Sequence, residues 1–341
     1  MSHRGKFSVL VAVVLVLAVV ATVSVLRASA RADRRDQARP DGPRVTTGEV
    51  GLGPGARRMV FRNMAWGPHR DELASTAASA PAGTRTATAG GLTCLRFHAA
   101  SGTGVCLQAV HGALTDTYRA TVVDARLHEG AHYPVPGIPS RARVSPSGRY
   151  AAWTAFVGGD SYAGTDFSTR TAILDTRTGK LTPSLEVYGI VKDGRRYRSA
   201  DVNFWGVTFE RDDRHFYATL ATGRKTYLVR GDMPTRTVTV LHQNVECPSL
   251  SPDGTRIVYK KRVAGLPADA PWRLYALDLR TMRETALAES RSVDDQAVWS
   301  DDRHVTYALP GDFGADLYTV PADGRGTPHE LVKAAVSPVY L

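Results

Sequence analysis

The chain has 341 residues, of which 43% are hydrophobic and 22% are charged. This balance is typical of a globular protein and is too apolar for a disordered chain. The formal net charge is +10, but the arginines are scattered and no basic run is interleaved with aromatic residues. We therefore expect a solvated basic surface, and no nucleic acid among the partners.

The N-terminus predicts a membrane anchor. A short basic segment is followed by residues 8–26, which carry no charge. This run has the length of a membrane-spanning helix and is long for the core of a signal peptide. The triplet from Ala28 to Ala30 offers a cleavage site, so a cleaved signal is the alternative. We expect residues 1–27 to be a single-pass signal anchor in the cell membrane, with a secreted protein if cleavage follows Ala30.

The orientation of this anchor follows from two opposing arguments. Basic residues lie on both sides of the apolar run, and a strict count of them favours a cytoplasmic C-terminal side. Export by a signal sequence favours the opposite orientation, and we adopt an extracytoplasmic C-terminal part. Residues 28–55 are rich in Arg, Asp, Pro and Gly and predict a flexible juxtamembrane linker. Within it, TTGEV at residues 46–50 has the composition of an edge strand.

The cysteines predict one disulfide. Cys94 and Cys106 lie on two strand-like runs in GLTCLRFHAASGTGVCLQAV. A hairpin that turns at residues 99–101 places them directly opposite each other, at a separation that a disulfide can span. Two reduced strand cysteines are the alternative. A disulfide would indicate an oxidising compartment, and Cys247 is left as a small buried residue.

A repeated unit predicts the architecture. In PSLSPDGTRIVYKKR, residues 248–262, a tight Ser-Pro-Asp-Gly turn leads into an alternating strand. The same plan of a hydrophobic residue, a polar turn and a strand recurs along the chain, and a strand-turn-strand segment such as LYALDL follows each copy. The hydrophobic positions are Trp66, Val144, Phe209, Leu250 and Trp299. Four-stranded units that recur at these positions predict an all-β fold, a β-propeller of five blades with six as the alternative count. A β-sandwich is the competing architecture.

The repeat also carries a family resemblance. SPDGTRIVY followed by LYALDL is similar to the WD40-like propeller repeat of the TolB C-terminal domain and its relatives. The resemblance covers nearly all of residues 56–341, which we assign to the propeller, although the SPDG form is intact only at residues 251–254. It implies a propeller fold and, more weakly, a role in envelope interactions. TolB propellers have six blades, and the α/β domain that precedes them in TolB has no counterpart in this sequence.

The repeat places candidate binding residues at one mouth of the central channel. In a propeller, the segment before each innermost strand lies near this mouth, and concave sites of this kind bind ligands. The candidates are Asn63, Arg141, Asn203, Trp205, Glu246, Asp295 and Gln296. Arg141 offers a bidentate grip on a carboxylate or phosphate, and Trp205 offers a stacking face. The alternative is that these side chains satisfy one another around ordered water.

No catalytic or metal motif occurs in a context that would support its chemistry. The one H-E-x-x-H match, HEGAH at residues 128–132, lies in a strand-like segment and not on the helix that this zinc motif requires, and no C-x-x-C pattern occurs. Glu246 and Asp295 are the only carboxylates expected at the mouth. We therefore expect no metal and no cofactor, and a monomeric propeller that binds a protein or envelope component without catalysis. A propeller enzyme, a hydrolase or lyase acting on a peptide or sugar in the channel, is the alternative. A purely structural sensor or lid of a membrane complex is the third interpretation.

Overall fold

The computed structural model describes residues 3–53, 57–78, 86–112, 115–162 and 167–341. These ranges contain an N-terminal helix, α1 (His3–Arg35), a 3-10 turn at Leu185–Val187, and 27 β-strands. In chain order the strands are β1 Val45–Thr47, β2 Arg58–Asn63, β3 Glu72–Ala77, β4 Ala87–Thr93, β5 Arg96–Ala100, β6 Thr103–Val110, β7 Thr117–Val123, β8 Glu129–Val135, β9 Ile138–Val144, β10 Tyr150–Gly158, β11 Ser168–Asp175, β12 Lys180–Thr182, β13 Gly189–Lys192, β14 Arg195–Tyr197, β15 Asn203–Phe209, β16 His215–Thr222, β17 Lys225–Asp232, β18 Thr237–Gln243, β19 Glu246–Leu250, β20 Arg256–Arg262, β21 Trp272–Asp278, β22 Glu284–Ala286, β23 Val298–Trp299, β24 His304–Gly311, β25 Gly314–Pro321, β26 His329–Val332 and β27 Ala335–Tyr340.

The strands form six sheets, the blades of a β-propeller. From the innermost strand outward, blade 1 is β27-β2-β3-β4, blade 2 is β5 to β8, blade 3 is β9 to β12, blade 4 is β15 to β18, blade 5 is β19 to β22, and blade 6 is β23 to β26. Strand β1 adds to the outer edge of blade 1, and the hairpin β13-β14 adds to that of blade 4. The all-β propeller is confirmed, and its blade count is six.

Blade 1 closes the ring. Its innermost strand β27 comes from the C-terminus and pairs antiparallel with β2, with Met59 opposite Tyr340. Strands from both ends of the propeller therefore share one sheet. This closure holds the ring as one scaffold.

The Ser-Pro-Asp-Gly turn is a structural part of the blade. In blade 5 the Ser251 hydroxyl accepts a hydrogen bond from the Arg256 amide at 3.0 Å and donates to Asp253 at 2.5 Å. In blade 3 Ser145 accepts from the Tyr150 amide at 2.9 Å in the same way. The serine side chain thus caps the turn between the innermost and second strands.

The predicted repeat register is right at four positions and wrong at one. Val144, Phe209, Leu250 and Trp299 all end an innermost strand. Trp66 instead lies between β2 and β3, the second and third strands of blade 1. Two blades were not recognised as copies: blade 2 turns through a short Ser-Gly pair after Ala100, and blade 1 takes its innermost strand from the chain terminus.

The cysteine hairpin is the inner hairpin of blade 2, in a register different from the expected one. Ser101 and Gly102 form its turn with positive φ angles of 48° and 75°, so Phe97, and not Cys94, is opposite Cys106. Cys94 lies just before β5. It still reaches Cys106 in a disulfide with a Cα–Cα distance of 5.4 Å.

Part of the segment expected to be a flexible linker belongs to the propeller. Strand β1 pairs parallel with β4, and Val50 and Leu52 are buried in the core. The expected boundary at residue 56 lies outside the described residues. The section of α1 from Ala12 to Arg35 is long and apolar enough to cross a membrane.

Candidate functional site

The propeller has two faces, which the innermost strands define. We call the end where they begin the upper face and the end where they finish the lower face. Side chains cross the channel between the faces. Gln296 of blade 6 donates to the carbonyls of Val207 in blade 4 and Pro248 in blade 5, at 3.1 and 2.7 Å. The channel is thus packed with side chains.

Bulges in three innermost strands shape this channel. Gly206, Cys247 and Ser337 adopt positive φ angles of 65°, 50° and 55°, each where the strand pairing shifts register. A bulge bends the strand and changes the direction of the backbone locally. The residues that follow the first two bulge positions, Val207 and Pro248, are those whose carbonyls bind Gln296.

An ionic cluster lies at the upper end of the channel, around Lys260. This lysine is fully buried, its ammonium group donates to Asp294, and its nitrogen is 3.8 Å from Oε2 of Glu246. It also lies 3.8 Å from the centre of the Trp272 ring. Glu246 accepts in turn from Nε of Arg262 at 2.8 Å. Because buried charges must be paired, this cluster stabilises the fold only while it is complete.

Arg141 joins this cluster from blade 3. Its guanidinium lies 3.6 Å from the Asp294 carboxylate and 4.9 Å from the centre of the Tyr162 ring. Burial raises the pKa of Asp294, but Lys260 and Arg141 together outweigh this effect, so its pKa lies below the ordinary value. Asp294 is therefore ionised at neutral pH.

A groove beside this cluster opens on the upper face over blade 4, with a volume of about 900 Å³. Phe167 and Trp205 form its aromatic wall, with ring centroids 5.3 Å apart. The polar residues that line it are Ser168, Asp201, Asn203, Thr222, Arg224, Lys225, Thr226, Glu246 and Arg262. Among the charged ones, Asp201, Arg224 and Lys225 are exposed.

The rim of this groove, which we call the upper groove, carries positive charge. Arg224 and Lys225 are exposed on this rim, and Tyr197 of strand β14 bonds Thr222 of the groove at 2.9 Å. Asp201 is tied to its own loop: hydrogen bonds from Ser199, Thr222 and the Gly223 amide lower its pKa to about 2. The acidic residue at the rim is thus internally satisfied, whereas the Arg224 and Lys225 side chains are solvated.

The expected mouth residues fall into three groups. Asn203, Trp205 and Glu246 line the upper groove. Arg141, Asp295 and Gln296 line a small cavity in the channel instead. Asn63 is separate from both: its amide donates to the His69 carbonyl at 2.7 Å and its oxygen accepts from the Ala65 amide at 3.1 Å. These bonds hold the β2–β3 loop. Asn63 was expected at the channel mouth because it was selected from the Trp66 register, which was wrong.

The burial of two of these residues differs from the expectation. Trp205 is 1% exposed and packs against Tyr162 at 5.5 Å, so its ring is mostly core. Arg141 is 7% exposed. Neither presents a free surface for a large ligand, and the exposed groups of the upper groove are those of its rim.

The sequence analysis missed Tyr162, Lys260, Arg262 and Asp294. A signal for Lys260 was present, because strand alternation places it on the same side as buried Val258. A lysine at a core position of a strand is a candidate for a buried ion pair. Asp294 had no such signal, since its partner lies on another blade.

The lower face has a funnel of about 510 Å³, lined by the ends of the innermost strands. Glu210, Asp212 and His215 lie near it with ligand atoms within 4.8 Å of one another. Glu210 accepts from Arg230 at 2.7 Å, and Asp212 bonds His215 at 2.5 Å. These side chains thus already have protein partners.

Comparison with known proteins supports the fold. The chain is similar to TolB from Acinetobacter baumannii, with 16% identity, a TM-score of 0.54, and coverage of 84% of this chain and 67% of that one. It is also similar to a chain of a nidogen/laminin complex, with 12% identity, a TM-score of 0.52, and coverage of 83% and 98%. No family model matches the sequence, and no curated protein matches it. The chain is a six-bladed β-propeller. Its architecture is TolB-like.

Proposed function

We propose that this protein is a membrane-anchored or exported, non-catalytic propeller of the cell envelope that binds an acidic segment of a partner protein in the upper groove. The observation that carries the proposal is the exposed pair Arg224 and Lys225 on the rim of that groove. Opposite charge on a partner steers association toward such a rim.

The upper groove combines features of a recognition surface. Its wall contains the aromatic pair Phe167 and Trp205, and Asn203 supplies a fixed polar group there, since its oxygen accepts from the Thr169 amide at 3.0 Å. The groove lies on a closed ring of paired strands, so little ordering is needed on binding. The basic hairpin β13-β14 extends the positive surface beside it.

The charge balance at the rim favours an acidic partner. Arg224 and Lys225 of the groove are exposed, while Asp201 is engaged by three internal hydrogen bonds. A basic partner would meet uncompensated cations there, which disfavours it.

Two features support an extracytoplasmic propeller on a membrane anchor. The α1 helix has the length and composition of a membrane span. The Cys94–Cys106 disulfide fits an oxidising compartment. The TolB-like architecture fits an envelope location but does not by itself assign one.

The enzyme alternative needs a free acid or base at the channel mouth. Glu246 is 1% exposed and bound to Arg262, and Asp295 accepts from the Ala308 amide at 3.0 Å. Neither arrangement favours a proton-transfer role. Binding is therefore the function that the site supports best.

A co-purification experiment tests the proposal. Full-length protein carrying Arg224→Glu and Lys225→Glu is cross-linked in its native membrane and purified beside the wild type. We expect a roughly ten-fold loss of the co-purifying partner, with an unchanged melting temperature. The matched control is Arg177→Glu with Arg211→Glu, two exposed arginines away from the upper groove. Equal partner recovery from both double variants would refute the proposal.

A further inference from the structure

The channel below the ionic cluster contains an unusual concentration of arginines. Arg96 and Arg141 donate to the same Ser140 carbonyl oxygen, at 2.7 and 2.8 Å, so their guanidinium groups lie side by side. Arg96 and Arg62 similarly share the Leu95 carbonyl, at 3.4 and 2.9 Å. Like charges held this close repel each other, and an anion between them would offset that repulsion. Asp71, 2.6 Å from Arg62, does so at one end of the row.

Arg143 crosses the same channel and has only neutral partners among the described residues. Its Nη2 lies 3.5 Å from the Ser249 hydroxyl and 3.4 Å from the Ala297 carbonyl, both long for hydrogen bonds. Arg141 and Arg143 are each 7% exposed, and Nε of each is buried without a hydrogen-bond partner. Unpartnered buried donors of this kind require an acceptor.

His98 shows the same excess of donors. Its Nδ1 faces the Val144 amide at 3.1 Å, and its Nε2 faces Nη1 of Arg143 at 3.1 Å. Both neighbours are donors, but a neutral imidazole has only one acceptor nitrogen and a donor of its own. Burial and Arg143 keep the pKa of His98 well below its ordinary value, so the ring is neutral. One donor contact is therefore left unsatisfied whichever tautomer is present.

The charges of the channel and its upper rim do not balance. The cationic side chains are Arg62, Arg96, Arg141, Arg143, Lys260 and Arg262, and the anionic ones are Asp71, Glu246, Asp294 and Asp295. Burial and neighbouring arginines lower the pKa of Arg96 to about 10, and burial lowers that of Arg143 to about 10 against the opposing effect of Asp295. An electrically neutral water would not correct this excess.

We propose that the channel holds one small monovalent anion of the size of a halide ion between Arg96, Arg141, Arg143 and His98. These four residues and Asp295 line a cavity of about 30 Å³, which suits an occupant the size of one water molecule. The single Asp295 carboxylate offsets only part of the charge of the three arginines around it. The anion accepts from the free Nε atoms, and it offsets one of the two surplus positive charges. Phosphate and sulfate are too large for this space.

An anion titration of the full-length protein in detergent tests this inference. Sodium gluconate is replaced at constant ionic strength by sodium chloride or by sodium acetate, and the melting temperature is followed. We expect a saturable rise of roughly 2–4 °C. A rise with chloride and none with acetate is the expected result, because acetate is too large for the cavity, and a rise with acetate alone overturns the inference. No rise with either salt overturns the inference.

A variant and a crystallographic measurement locate the site. Arg143→Gln should abolish the rise, whereas Arg177→Gln, which removes an exposed charge elsewhere, should keep it. A rise that persists in Arg143→Gln overturns the assignment to this cavity. If Arg143→Gln does not fold, bromide-soaked crystals of the wild type decide the question: an anomalous peak in the cavity is expected, and its absence would contradict the inference.

Discussion

Arg262 donates through Nε to Oε1 of Glu246 at 2.8 Å, joining the first two strands of blade 5 at the base of the upper groove. Glu246 is 1% exposed, and its second oxygen lies 3.8 Å from the buried Lys260 ammonium group. The pair therefore stabilises the blade that forms one wall of the proposed binding site.

Removing the charge of Glu246 should destabilise the propeller. Glu246→Gln keeps the shape of the side chain but leaves Lys260 with Asp294 as its remaining counter-charge. We expect a loss of roughly 2–4 kcal/mol in the free energy of unfolding, measured by urea denaturation. Glu210→Gln, which breaks a more exposed ion pair with Arg230, should cost no more than about 1 kcal/mol. Equal losses in the free energy of unfolding of the two variants would contradict a larger stabilising contribution from the buried Glu246 pair.

Stability should depend on pH through His98. Its folded-state pKa lies well below 6.5 because it is buried beside Arg143, so below about pH 6.5 the unfolded chain binds a proton there that the folded chain does not. The melting temperature should fall from pH 7 to pH 5, and it should fall less in His98→Gln. His111→Gln, at an exposed histidine, should retain the wild-type slope, and a slope unchanged in His98→Gln would contradict this origin.

The disulfide should be present in the exported protein. Non-reducing peptide mass spectrometry should find Cys94 linked to Cys106, with Cys247 as a free, buried thiol. Because the bond closes a short loop, replacing both cysteines by alanine should cost roughly 2–3 kcal/mol in chemical denaturation. A link from either cysteine to Cys247 would be incompatible with the blade 2 hairpin.

Gly206 should tolerate no side chain. It adopts a φ of 65°, and a Cβ built there would lie 2.8 Å from the Cys247 Cα on the neighbouring blade. Gly206→Ala should cost roughly 2–4 kcal/mol, since backbone strain and steric overlap add. Gly194→Ala is the matched control, because φ there is 72° but no atom lies within 4 Å of the added Cβ. This variant should lose only the roughly 1 kcal/mol that a residue with a side chain costs at a positive φ. Similar melting temperatures for the two variants would contradict the close approach of blades 4 and 5.

The propeller could be predicted from the sequence because the repeated turns have a recognisable residue pattern whose side chains form hydrogen bonds within the turn. Ser251 and Asp253 accept hydrogen bonds from backbone amides of their own turn, so this part of the repeat could be recognised without knowing which strands lie beside it. Blade 2 was not recognised because its turn at Ser101 and Gly102 is too short to contain the Ser-Pro-Asp-Gly pattern. Blade 1 was misread because its innermost strand is at the other end of the chain, a pairing that no local pattern specifies.

The site was less predictable than the fold for a related reason. Lys260 and Asp294 lie 34 residues apart and on different blades, so only the closed ring brings them together. The burial of Trp205 and Arg141 could not be predicted, because both pack against Tyr162, which belongs to an irregular segment without a repeat signature. Exposure of Arg224 and Lys225 likewise follows from the turn between β16 and β17 on a completed blade.

Site-specific photo-cross-linking tests the central claim most directly. A photoreactive amino acid replaces Lys225 on the rim of the upper groove in one variant, and Arg177, away from it, in another; each full-length protein is irradiated in its native membrane. The account predicts a discrete cross-linked adduct from position 225 and none from position 177. An adduct from position 177 with none from position 225 would contradict binding in the upper groove.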